Sequence, residues 1–377
     1  MSLTGPIFLA GIIVLTLAAF VAVVLLWPRL TSDTPWHVAG RVGALVLVNL
    51  LVLLSAATQL NASYLFFAGW GDLRGAMTGH VAQTSLHRGG EEGQAAGIAV
   101  SGRSARVAAH PSSLARPPIA TGLVTYMVHG AASGLSGNVL VQLPPGYTSH
   151  QHARYPVLEA FHGYPSSPLA WVDEFQVGEV TARLARAHLL RQPLVVIPQI
   201  EIPHGVDTEG VNGLRGQPQV ETWLTRDVPD WLGQHFRVLA KRDAWATIGY
   251  SAGGFDAAMA TVLHPAQYGA AIVLGGYFRP EFGAFYEPFT ARSPRGRHYD
   301  LARTVAQHPP PVSLWLETSH ADVLSYHSSA QFLRATRAPT AVHAVILQNA
   351  GHRVSVWTSL LPESLRWLGR NVPGFHP

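Results

Sequence analysis

The chain contains no cysteine. That excludes disulfide bonds, thiolate nucleophiles and cysteine-based metal sites, and leaves the redox state of the compartment undetermined. Charge is also scarce. Only 13% of the residues are Asp, Glu, Lys or Arg, against roughly 25% in soluble domains. The net charge of +4 comes with no basic stripe interleaved with aromatics, so nucleic acid is not an expected partner. The 19 histidines are scattered without H-E-x-x-H or similar ligand spacing, so no metal and no other cofactor is expected. There is no internal repeat and no heptad pattern.

Long uncharged runs are present, both near the N-terminus. Gly5 to Trp27 is apolar throughout and long enough to cross a bilayer, which takes about 20 residues. Val42 to Leu60 is a second such run, with Asn49 as its one strongly polar interior residue. A signal peptide is the competing reading of the first run. It lacks a basic start and a small-x-small cleavage site, and its apolar core is too long. Residues 1–72 therefore read as a membrane anchor of two transmembrane helices. The hairpin between them carries Arg29 and Arg41. The positive-inside bias makes that hairpin cytoplasmic and puts the rest of the chain on the extracytoplasmic side. Arg74 and Arg88, beyond the second run, pull against this assignment. Residues 73–120, rich in Gly, Ala, Ser, His and Arg, read as a flexible linker.

The catalytic signal lies further on. Gly249-Tyr250-Ser251-Ala252-Gly253 fits G-x-S-x-G, with a buried-strand pattern before it (Ala244 to Ile248) and a helix-forming stretch after it (Gly254 to Leu263). Strand, tight turn, helix is the context that makes the pentapeptide a nucleophile elbow rather than a Gly/Ser connection. Ser251 is the expected nucleophile. Enzymes of this kind run serine, acid, histidine, each near the end of a sheet strand. Pro311 to Leu316 reads as a strand followed by Glu317-Thr-Ser-His-Ala-Asp322, and Ala341 to Leu347 as one followed by Gln348-Asn-Ala-Gly-His352. His352 is the expected general base. Asp322 is the favoured acid because a loop could carry it to the imidazole. Glu317, at the expected strand end, is the alternative.

Val157 to Phe161 is an earlier strand running into His162-Gly163-Tyr164-Pro165. Acyl-transfer chemistry needs two N–H groups aimed at the developing oxyanion. The expected donors are the backbone amides of Ala252 and Tyr164, since Pro165 has no N–H. Glu201 to Gln219 is Gly-rich and expected over the mouth of the site. His162, Trp171 and Trp223 are candidates for its lining, the two tryptophans having the plain alternative of core aromatics. Asp207 and Glu209 read equally as a polar acceptor site or as loop caps.

Val220 to Leu232, Ile248 to Arg279 and Leu143-Pro-Pro-Gly-Tyr147 resemble the antigen 85 mycolyltransferases and their esterase relatives. They also resemble membrane-anchored actinobacterial esterases of the esterase D-like group. The resemblance covers Thr121 to Gly369. It implies an α/β-hydrolase fold, acyl-ester chemistry and the roles given to Ser251, Asp322 and His352. In the antigen 85 branch the acid is a Glu in the corresponding loop. The actinobacterial esterases carry a Cys after the position of Glu209 and another shortly after the nucleophile. This chain has Gly210 and Asp256 there, so that disulfide is lost.

The expected architecture is an α/β-hydrolase domain over residues 121–377, with an antiparallel strand pair (122–128 and 137–143) opening a mostly parallel sheet covered by helices on both faces. The expected function is a membrane-anchored serine esterase acting on an acyl ester or lipid substrate. Transfer of the acyl chain to a sugar or lipid hydroxyl is the first alternative, and a non-catalytic envelope-binding protein is the second.

Overall fold

A computed structural model describes residues 5–32, 34–64, 66–67, 70, 73–74, 80–88, 101–106, 122–283 and 286–377. The apolar runs form helices α1 (Pro6–Leu26) and α2 (Pro35–Tyr64), α2 starting well before the expected Val42. They pack as an antiparallel hairpin, with Thr16 Oγ1 donating to the Leu51 carbonyl at 3.3 Å. None of either apolar window is buried against the rest of the protein.

Among the described residues ten strands form one sheet: β1 (His80–Arg88), β2 (Ser101–Arg106), β3 (Leu123–His129), β4 (Ser136–Gln142), β5 (Val157–Phe161), β6 (Leu194–Pro198), β7 (Trp245–Tyr250), β8 (Ala270–Leu274), β9 (Ser313–Ser319) and β10 (Ala341–Leu347). Their order across the sheet is β2-β1-β10-β9-β8-β7-β5-β6-β4-β3. From β6 to β10 the strands are parallel, while β3 and β4 form the expected antiparallel pair at one edge. β1 and β2 correct the picture of 73–120 as a plain linker. They pair antiparallel with β10 and with each other, covering an edge ladder that would otherwise be open. The rest of that stretch, and the Thr121 boundary, lie outside the described residues.

The central strands β5, β6, β7 and β8 are buried along their whole length. This is what a parallel sheet covered on both faces requires of its sequence, and it explains continuous apolar runs where an open sheet would alternate. On one face Ala246, Ile248 and Tyr250 pack with Trp357, Leu360 and Leu361 of the C-terminal helix (Val354–Asn371). On the other, Ala271 and Val273 pack with Phe255 and Met259 of the helix Ala252–Leu263.

The chain leaves β5 to form β6 on one side and returns to form β7 on the other. This reversal between β5 and β7 opens a crevice at their carboxyl ends, where ligands bind in sheets of this type. The turns that leave these two strands are His162-Gly163-Tyr164 and Ser251.

Candidate active site

Ser251 links β7 directly to the helix Ala252–Leu263, with φ 56° and ψ −126°. A non-glycine residue in that region carries about 1–3 kcal/mol of strain and persists only when its surroundings demand it. Both motif glycines are demanded by close approach. A Cβ on Gly249 would run into the Gly253 carbonyl, and one on Gly253 into the carbonyls of Phe161 and His162. The Ser251 N–H is tied to the Leu274 carbonyl at 2.9 Å. Strand, elbow and neighbouring strand thus hold the hydroxyl in one place.

His352 Nε2 lies 2.8 Å from Ser251 Oγ, and His352 Nδ1 lies 2.8 Å from Asp322 Oδ2. With the proton on Nδ1, the imidazole donates to the carboxylate and accepts from the serine hydroxyl, the tautomer a general base needs. The Trp357 ring stands edge-on to the imidazole at 4.8 Å. Asp322 is further held by the Ser325 hydroxyl at 2.7 Å and by the backbone N–H groups of Leu324 and Ser325. Burial alone would raise the Asp322 carboxyl. The facing His352 and the hydrogen bonds from His352 and Ser325 outweigh burial and hold it below its ordinary range.

Glu317 does not reach the histidine. β9 runs on to Ser319, so Glu317 sits inside the strand, paired with Val345 and Leu274, instead of at its end. Its Oε2 has no hydrogen-bond partner among the described residues. Burial, then the nearby Asp322, pushes its carboxyl up to about 8. The loop after β9 brings Asp322 to His352 and leaves Glu317 behind.

Ser251 and His352 open into a cavity of about 350 Å³, whose lining includes Gly163, Tyr164, Phe66, Leu324 and Trp357 with the charged Glu174 and Arg353. A smaller pocket adjoins it at Gly163, Tyr164 and Ala252. Ala252 is the first residue of its helix, so its N–H has no intrahelical acceptor. Tyr164 lines the cavity after β5, and Ala252 follows Ser251 after β7.

Residues 131–368 match the family described as "Putative esterase". The chain belongs to this esterase family. Its members' chemistry is hydrolysis or acyl transfer at an ester. An uncharacterized protein of Corynebacterium glutamicum is 26% identical over 149 residues, and the match covers 37% of this chain and 33% of that protein. Solved structures share the fold. A ferulic acid esterase superposes with a TM-score of 0.55 at 19% identity, covering 66% of this chain and 97% of its own. The S-formylglutathione hydrolase of Agrobacterium tumefaciens gives 0.55 at 16%, covering 68% and 98%. MPT51 of Mycobacterium tuberculosis gives 0.50 at 17%, covering 67% and 99%.

In this esterase the remaining predicted lining residues go elsewhere. Trp171 is fully buried against Phe175 and Tyr250. Trp223 is fully buried and donates its Nε1–H to the Gln199 carbonyl at 2.9 Å. Both are core aromatics, as their bulk and apolar surroundings favour. His162 is buried with Nδ1 on the Gly163 carbonyl, and burial lowers its pKa, so it stays neutral and braces the turn. No residue of the loop Glu201 to Gln219 lines the Ser251 cavity itself, although the Gly205 carbonyl accepts from the Tyr164 hydroxyl at its edge at 3.3 Å. The loop residues Glu201, Asp207 and Glu209 close the smaller pocket instead. Glu209 is buried and accepts from the Tyr277 hydroxyl at 2.5 Å and the Glu281 N–H at 3.2 Å. Gly210 and Asp256 meet, since a Cβ on Gly210 would collide with the Asp256 carboxylate. The expected disulfide positions are thus adjacent here even without cysteines.

Sequence reasoning missed Trp357, Ser325 and Phe66. Trp357 follows His352 by five positions on the next helix, and Ser325 follows Asp322 by three, both local signals. Phe66 lies far away in the chain and had none.

Proposed function

We propose that this protein is a membrane-anchored extracytoplasmic serine esterase working through Ser251, His352 and Asp322. The observation that carries the reading is the continuous pair of 2.8 Å contacts from Ser251 through His352 to Asp322 at a strained elbow. Ser251 Oγ attacks the ester carbonyl carbon while His352 Nε2 takes its proton. The backbone N–H groups of Ala252 and Tyr164 receive the oxyanion, and Asp322 stabilises the imidazolium. The tetrahedral intermediate collapses, the C–O bond to the alcohol breaks, and His352 passes its proton to the departing oxygen. Water then attacks the acyl-enzyme with His352 again as base, releasing the carboxylic acid and restoring Ser251.

A second reading has its own support. A cavity of about 330 Å³ lined by Asn138, Gln199, Glu201, Ser166 and Ser167 adjoins the catalytic one, the two sharing Ser166. Hydroxyl-rich acceptors suit such a lining, and an acceptor seated there would turn hydrolysis into acyl transfer.

The deciding experiment is fluorophosphonate labelling of the full chain in detergent, with the adduct mapped by mass spectrometry. The expected result is modification of Ser251, abolished in Ser251→Ala and in His352→Ala. A folded protein that takes no label would leave the non-catalytic envelope-binding reading in front.

A further inference from the structure

The N-terminal hairpin touches the catalytic mouth. Phe66, two positions beyond the last residue of α2, lines the same cavity as Ser251 and His352. Its carbonyl accepts from Arg353 Nη1 at 2.9 Å, and the Arg353 guanidinium stands over the Phe67 ring at 5.1 Å. Two residues reach at most about 7 Å, so the cavity lies within one side chain's length of the helix end.

The apolar span Pro35–Ala62 has 28 residues. At 1.5 Å per residue that is about 42 Å, near the full thickness of a bilayer with its headgroups. The end of α2 therefore emerges within the headgroup layer. The other end of the hairpin sits at the same level, since Trp70 packs edge-on against Phe8 near the start of α1.

The surface of the catalytic domain fits this placement. Among the described residues from Leu123 onward seven large apolar side chains are exposed. Tyr164 and Leu324 border the catalytic cavity, Leu169 borders the adjoining one, and Val323 is next to Leu324. Exposed apolar surface gathered at a mouth marks a place where something apolar is met.

We infer that the hairpin holds the catalytic mouth against the bilayer, so that the substrate is an acyl ester resident in the membrane and delivered acyl chain first from the leaflet. This rests on the esterase and membrane-anchor reading above. The apolar lining residues Phe66, Leu324 and Trp357 take the chain, while the ester carbonyl comes to Ser251 at the headgroup level.

The test uses the full chain in phosphatidylcholine vesicles, assayed on water-soluble p-nitrophenyl acetate and on a long-chain fluorogenic ester dissolved in the same vesicles. A flexible insertion of about twenty Gly/Ser residues after Tyr64 adds an r.m.s. reach of about 25 Å and frees the mouth from the surface. The expected result is an unchanged rate on the soluble ester and a loss of about tenfold or more on the membrane ester. Equal rates on the membrane ester with and without the insertion overturn the inference and leave the esterase standing. A wild-type chain that turns over neither ester overturns both. Should the insertion impair folding, Val323→Cys supplies a unique labelling site in a chain without cysteine. A dye there is expected to be quenched by spin-labelled lipid, and quenching by aqueous iodide alone overturns the inference.

Discussion

Two groups of buried carboxyls flank the start of the helix Ala252–Leu263. Beside His352, Asp322 receives a hydrogen bond from the imidazole, one from the Ser325 hydroxyl and two from backbone N–H groups, and it is held ionised. On the other side, Asp207, Glu209 and Asp256 crowd the small pocket at Gly210. Burial, with Glu201 beside it, pushes Asp207 up to about 6. Burial and the neighbouring Asp207 push Glu209 up to about 8, and burial, with Glu209 and Asp207 nearby, pushes Asp256 well above its ordinary value. Asp256 Oδ1 has no hydrogen-bond partner among the described residues. Glu209, Asp256 and Asp322 are all buried, while Asp207 is only half-buried. Partners, not depth, decide which carboxyl carries charge at neutral pH. Glu317, inside β9 and five residues before Asp322, makes the same point and is pushed up to about 8.

The contrast is broken most directly by exchanging the charged acid for its amide. Asp322→Asn is expected to lower kcat by about 10⁴, because the amide no longer stabilises the imidazolium or the required tautomer. Glu317→Gln replaces a carboxyl that is already neutral at pH 7, so its rate on the same ester is expected to stay within about threefold of wild type. A loss of comparable size in both would transfer the acid's role to Glu317 or remove the distinction between them.

The crowded groups are expected to show in stability against pH. Glu159, Glu209 and Glu317 hold their protons to about 8 in the folded state, against an ordinary value of 4.5. Between those values the folded chain binds more protons than the unfolded one, so stability is greatest toward pH 4.5 and falls as pH rises to 8. Asp322 works in the opposite direction, but its contribution is lost only as pH falls below the ordinary aspartate range. A thermal melt in detergent should therefore give a Tm several degrees higher at pH 5.5 than at pH 8.5. Asp256→Asn should flatten that slope. A Tm that rises with pH over this interval would show that these carboxyls are solvated.

The smallest change sharpens the partnered side. Ser325→Ala removes one of four hydrogen bonds to Asp322, a contribution of about 1 kcal/mol. The expected result is a fall in kcat/KM of about fivefold with Tm nearly unchanged.

Much of this architecture was legible from local pattern. Continuous apolar runs placed the parallel strands to within a few residues, and the G-x-S-x-G turn located the elbow because Gly249 and Gly253 are sterically compelled there. His352 was legible as a Gly-His turn just past a strand. The acid was less so, since a difference of a few residues in where β9 ends decides whether Glu317 or Asp322 faces the imidazole. Trp171 and Trp223 were candidates for the lining with the core as the commoner place for such aromatics, and only packing shows both in the core. The strands β1 and β2 were hidden in a segment poor in large apolar residues.

Residue order alone therefore settled the chemistry available, the family resemblance and the presence of two bilayer-length apolar runs, all of which depend on neighbours in the chain. Which carboxyl is charged, which aromatics meet the substrate and how Phe66 comes to border a cavity with Ser251 depended on packing. Those are contacts between segments up to hundreds of residues apart, and electrostatics and close packing act through distance in space, with no trace in local sequence.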